Sequence, residues 1–202
     1  MRPWISIFFL GGLLLLSSAA MCQPWPSELW HDGKLVLDSG DTLKGQIKYD
    51  LKQDLIQYNV PNQRTDAFSS RKVVFFEIFD VTVKRYRQFF ALPYTNQGQY
   101  RTPVFFELLT EGKLTLLARE SVEFRTYTSP YYLGSYSREV LVNRYFFLDN
   151  DGNIEEFKGS KADLLSLMGK KSDDVEKYMK TNRLKIDDKY DFVKIVAYYN
   201  SI

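Results

Sequence analysis

Cysteine and histidine are nearly missing from this chain of 202 residues, where Cys22 and His31 are the only ones. One cysteine cannot close an intrachain disulfide, so the fold must rest on its core. With one histidine, nucleophile–histidine arrangements and most zinc sites would all have to be built on His31. That residue follows Trp30 at the start of a strand, where a structural or solvated role is expected. No Asn-x-Ser/Thr acceptor occurs. An excess of one charge is lacking too. The formal charge is +2, and Arg2 in the leader accounts for one of the positive charges. Such balance speaks against a dedicated nucleic-acid or acidic-membrane binder. No catalytic, metal or nucleotide motif stands out.

What is present begins with a leader. Arg2 supplies a positive start, Ile5 to Leu16 an apolar stretch broken only by Ser6, Gly11 and Gly12, and Ser17 to Ala20 a run of small residues. Over residues 1–22 this is the pattern of a secretory signal. Cleavage after Cys22 exposes Gln23, and cleavage after Ala20 is the other choice. Two rivals stand beside it. Lipidation of Cys22 is one, with Met21 in a place that wants a small residue. Retention of the uncharged residues 3–22 as an anchor is the other. Residues 23–28, with Pro24 and Pro26, read as a stiff spacer. A membrane would thus be met only through a retained leader or a lipidated Cys22.

From Leu29 to about Phe157 the period is mostly two. Lys34–Leu37 and Leu43–Tyr49 flank the turn cluster Asp38-Ser39-Gly40-Asp41 and predict a hairpin. Leu55–Asn59 predicts a third strand, and the polar residues 62–71 a loop. Lys72–Asp80 reads as a central strand paired with Thr82–Leu92. Val104–Leu109 and Leu114–Ala118 form another hairpin, Ser121–Tyr127 a further strand, and Glu139–Leu148 and Asn153–Phe157 flank Asp149-Asn150-Asp151-Gly152. After Gly159 the period becomes 3.6. Ser160 with Asp163 predicts a capped helix. Ser172 is read as the cap of a second helix closed by Asn182, and Asp187 and Asp188 as the start of a third. Its expected stripe is Tyr190, Val193, Val196 and Ala197. The predicted fold is α+β: a mostly antiparallel sheet over 29–158, sandwich or open barrel, with three short C-terminal helices over 159–202 packed on it.

Candidate sites are few. Asp149, Asp151 and Asn153 have the spacing of a calcium loop, but Ile154 and Ser160 stand where such a loop needs Gly and Glu, so a plain turn is expected. Lys84, Arg85 and Arg87 beside Tyr86, Phe89 and Phe90 mix base and ring as single-strand binders do; charges protecting an edge strand are the preferred reading. Glu107, Glu111, Glu120 and Glu123 supply acids without a spacing that selects a pair. The stretch Tyr127–Ser137 places Tyr127, Tyr131, Tyr132 and Tyr136 among Ser, Thr, Pro and Gly. Rigid amphipathic rings on a polar connection are what recognition surfaces use, and the structural alternative packs them on the rim of the sheet.

Gly40-Asp41-Thr42-Leu43-Lys44-Gly45 opening a β-rich body, and a helical tail closing on Tyr198-Tyr199-Asn200, are similar to uncharacterised exported proteins of the Bacteroidetes type. The resemblance implies a bacterial envelope location and carries no activity or site residues. The expectation is a non-enzymatic, exported module of the periplasm or cell exterior without cofactor or metal. It would bind an envelope protein or glycan, and no nucleic acid, through Tyr127, Tyr131, Tyr132 and Tyr136. A carboxylate-dependent hydrolase of envelope polymers and a lipid carrier with a ring-lined cavity are the alternatives.

Overall fold

Side chains on a strand alternate between faces, so a chain that alternates apolar and polar residues can bury one face of a sheet. The computed structural model describes residues 24–60, 64–95, 100–128 and 134–202. The leader, Cys22, Tyr131 and Tyr132 lie outside these ranges. Among the described residues ten strands form: β1 (His31–Leu37), β2 (Thr42–Asp50), β3 (Leu55–Asn59), β4 (Asp66–Ser69), β5 (Val73–Asp80), β6 (Arg85–Tyr94), β7 (Thr102–Thr110), β8 (Thr115–Thr128), β9 (Ser135–Leu148) and β10 (Ile154–Phe157). All belong to one open antiparallel sheet in the order β10-β9-β8-β7-β6-β5-β1-β2-β3-β4. Of the two β architectures the sequence left open, a single open sheet rules out the sandwich of two stacked sheets and fits the open one. It is a meander with one departure, because β5 returns to pair with the free side of β1.

Two expectations about strands are corrected. β4 forms inside the segment read as a loop. It is a short edge strand, and an edge that turns only Phe68 toward the core needs little apolar sequence. Ser121–Tyr127 is no separate strand but the continuation of β8, which runs unbroken to Thr128.

The sheet curls on itself. The β2–β3 turn reaches β7 and β8, which stand several strands away. Asp54 Oδ1 accepts from the Phe105 N–H (2.8 Å) and from Arg119 Nη1 (2.8 Å). Ser70 Oγ, just past β4, donates to the Pro103 carbonyl at 2.6 Å. The inner face so enclosed is filled by Leu35, Ile47, Ile56, Phe76, Ile78, Phe89 and Phe105, all fully buried. Phe76 stacks on Phe89 with ring centroids 4.4 Å apart and meets Phe105 edge-on at 5.2 Å.

Three helices, α1 (Lys161–Leu167), α2 (Ser172–Asn182) and α3 (Lys189–Ser201), follow β10. Their Leu164, Val175, Met179, Phe192 and Ile195 pack with Leu116 of β8 and Phe147 of β9. Ser160 accepts from the Asp163 N–H while Asp163 reaches back to the Ser160 N–H, the expected capping box. Asp188 caps α3 through the N–H groups of Tyr190 and Asp191. Ser172, read as a cap, is the first residue of α2 and makes no capping bond; α2 closes at Arg183, whose φ is 55°. The buried stripe of α3 is Phe192, Ile195 and Val196, turned from the expected one because Phe192 inserts edge-on against Tyr145.

Candidate functional site

β7 pairs with β8 only as far as Glu107–Ala118, and β10 pairs with β9 only as far as Phe157–Tyr145. β8 and β9 continue together to Thr128–Ser135. Residues 119–128 and 135–144 therefore form an arm two strands wide, with both outer edges free of strand partners among the described residues. At its root, Arg119 bonds Asp54, the Leu51 carbonyl and the Phe105 carbonyl. These contacts fill the gap where β7 parts from β8.

The alternation of β8 continues along the arm. Val122 and Phe124 share the side of Glu120, where Val122 lies opposite Leu141. Phe124 is 75% exposed. The arm lines a cleft of about 850 Å³ together with the end of the β2–β3 hairpin, including Lys48, Tyr49 and Lys52. On the outer side Tyr127 and Tyr136 lie directly opposite each other, and their rings stack with centroids 5.6 Å apart. Tyr127 and Tyr136, expected in a long connection, are strand residues of the arm. The Tyr131 and Tyr132 assignments fall outside the described residues.

Beneath the cleft lies a group that the sequence did not bring together. Arg87 is buried, and its Nη1 donates to Asp80 (2.8 Å) and to the Tyr49 hydroxyl (2.9 Å). Its Nη2 donates to Glu107 and Glu120, each at 2.6 Å. Lys189 of α3 adds a bond to Glu107 at 2.7 Å. Burial alone would raise the Glu107 carboxyl, but the charges of Arg87 and Lys189 outweigh it and hold the group below the usual carboxylate range. Burial likewise opposes ionisation of Asp80, and bonds from Thr82 and Arg87 keep it low. The Tyr49 hydroxyl goes the other way: burial, with the Glu120 charge beside it, pushes it well above its ordinary value despite Arg87. The signal for this group was parity. Arg87 shares the inward side of β6 with Phe89, and Glu107 that of β7 with Phe105.

The remaining sequence candidates fall apart in space. Arg87 is inside while Arg85 lies over the Tyr190 ring, 4.1 Å from its centroid. The protected-edge reading is also corrected, since β6 lies inside the sheet between β5 and β7. The Asp149 carboxylate is taken up by the N–H groups of Asp151 and Asn153, which closes a hairpin turn. His31 is buried, with Nε2 2.7 Å from the Pro26 carbonyl, and it ties the 3₁₀ turn Pro26–Glu28 to the body. Of the acids, Glu107 and Glu120 meet on Arg87, Glu123 pairs with Arg144 on the arm at 2.9 Å, and Glu111 lies exposed in the β7–β8 turn.

No protein-family model matches the chain, and comparison with curated proteins and with solved structures gives no match.

Proposed function

We propose that this chain is an exported, non-enzymatic module of a bacterial envelope that holds an envelope protein or glycan on its β8–β9 arm. The observation that carries the reading is the arm itself. It stands two strands wide beyond the body, with Phe124 75% and Tyr136 55% exposed. Ring side chains held rigid by a strand give up little entropy on contact, which suits a recognition surface. The leader pattern and the envelope resemblance support export.

The alternatives fit less well. A carboxylate-pair hydrolase needs one acid that keeps a proton near neutral pH. Glu107 is instead held ionised by Arg87 and Lys189. A lipid carrier needs an apolar cavity, and the rings of Phe76, Phe89 and Phe105 pack on one another in the place where it would open.

Immobilised chain exposed to the polysaccharide and protein fractions of an envelope extract tests the reading. Phe124→Ala/Tyr136→Ala should lower retention at least tenfold with an unchanged melting curve. Equal retention by the variant would remove the arm as the binding surface.

A further inference from the structure

The outer side of the arm breaks a rule of strand pairing. Arg125 lies directly opposite Arg138, and like charges in that relation repel. The other arginines near the root have acids: Arg144 bonds Glu123 at 2.9 Å and Arg119 bonds Asp54 at 2.8 Å. Among the described residues neither Arg125 nor Arg138 has an acidic partner within 4.0 Å, the limit for an ion pair. No aspartate or glutamate occurs in residues 1–23, 61–63, 96–99 or 129–133, so the remainder of the chain supplies no acid either. Both arginines are exposed.

The next pair on the same side is Tyr127–Tyr136. Arg138 lies over the Tyr127 ring, its guanidinium carbon 4.7 Å from the centroid, and Tyr127 stacks on Tyr136. Tyr136 remains 55% exposed. Two arginines and a stacked ring pair thus share one side of the ribbon. A guanidinium offers paired N–H donors that match the oxygens of a carboxylate or a sulfate. A ring face takes the flat, less polar side of a sugar. A peptide added to a sheet bonds along a strand edge, whereas these arginines and rings stand on the face of the ribbon.

We propose that Arg125, Arg138 and the Tyr127–Tyr136 stack bind an anionic glycan, one that carries uronic carboxylates or sulfates on its rings. The proposal rests on the reading of the arm as a binding surface and names its ligand class. Arg138 leans on Tyr127 and neither arginine has an acid beside it, so the acid groups of a ligand would neutralise both charges; local sequence rules fail here because the site is built for a third party.

Affinity electrophoresis of the full chain through polygalacturonate, dextran sulfate and neutral dextran tests this. The chain should be retarded by at least one of the two acidic polymers and not by neutral dextran, and the retardation should fall as salt rises. Arg125→Gln/Arg138→Gln should lower the affinity at least tenfold. Arg125→Lys/Arg138→Lys, which keeps the charge and loses the paired donors, should fall between. Because the glutamines relieve repulsion, the melting temperature of the double glutamine variant should equal or exceed that of the parent. A clear drop would mean that the pair is structural and would overturn the proposal. Equal retardation of the glutamine variant would overturn it as well, by assigning the effect to other basic residues. Arginine-dependent binding to phosphatidylglycerol vesicles without binding to either acidic polymer would overturn it in favour of a lipid headgroup. A partner captured through Phe124 and Tyr136 but indifferent to Arg125 and Arg138 would overturn the glycan while leaving the arm as a binding surface.

Discussion

Arg87 carries a larger share of the interior than its place in the sequence suggests. Next to Lys84 and Arg85 it looks like one of a basic row, yet it lies on the Phe89 side of β6 and ends among Asp80, Glu107, Glu120 and Tyr49. A charge removed from such a group leaves its partners buried and unpaired, at about 3–5 kcal/mol. Arg87→Leu should lose stability of that order at pH 7, read from urea unfolding. Its deficit should shrink toward pH 5, because unpaired buried acids take up protons more readily. The parent should respond to acid in the opposite sense. Glu107 and Asp80 have folded values below their unfolded ones. Their contribution is therefore complete above the unfolded values of about 4 and is lost as the pH falls through the lowered folded values. Parent stability should stay level from neutral pH to about 5 and drop below about 4. At this scale the sequence was legible only by parity. A charged residue on the apolar side of a strand must be paired, but only the fold says with what.

Elements were easier to read than residues. The β1–β2 hairpin, β3, β5 and the Asp149–Gly152 turn follow from alternation and turn residues, and α1 and α3 from their caps. β4 escaped because an edge strand makes little demand on its sequence. The cap of α2 escaped because Ser172 continues a 3₁₀ turn, Gly169–Lys171, and so has no free helix start to serve. The tail is held by a residue rather than by its apolar face alone. Asn200 accepts from the Leu114 N–H at 2.9 Å and donates to the Leu114 carbonyl at 2.9 Å and the Glu111 carbonyl at 3.3 Å. That pins the end of α3 to the β7–β8 turn. Asn200→Ala leaves a part-buried N–H and carbonyl without partners and should cost about 1–2 kcal/mol. Amide exchange should quicken around residues 111–115, and unchanged protection there would show that α3 is held by packing alone.

For the whole molecule, the body and the arm should behave as separable parts. The arm adds few buried side chains beyond its root. Joining Ser121 to Val142, which lie opposite each other, with an Asn-Gly turn should therefore cost less than about 1 kcal/mol, or about 2–4 °C in melting temperature for a chain of this size. The same deletion should abolish retention of envelope ligands. A collapse in melting temperature would mean that the arm is part of the core.

The sequence by itself determined the strand-rich body, the helical tail and most of the strand positions, since alternation and caps are local and act within a few residues. It also placed Tyr127 and Tyr136 among the recognition candidates through their setting of small and polar residues. Only the tertiary structure decided that β5 pairs with β1, that the sheet curls until Asp54 meets Arg119, and that Arg87 gathers three acids from three other strands. It alone decided that β8 and β9 outrun their neighbours and set Arg125 against Arg138. These outcomes depend on pairings between segments far apart in the chain. A period of two says that a strand has an inside and an outside, and nothing in it says which strand lies next to it or where that neighbour stops.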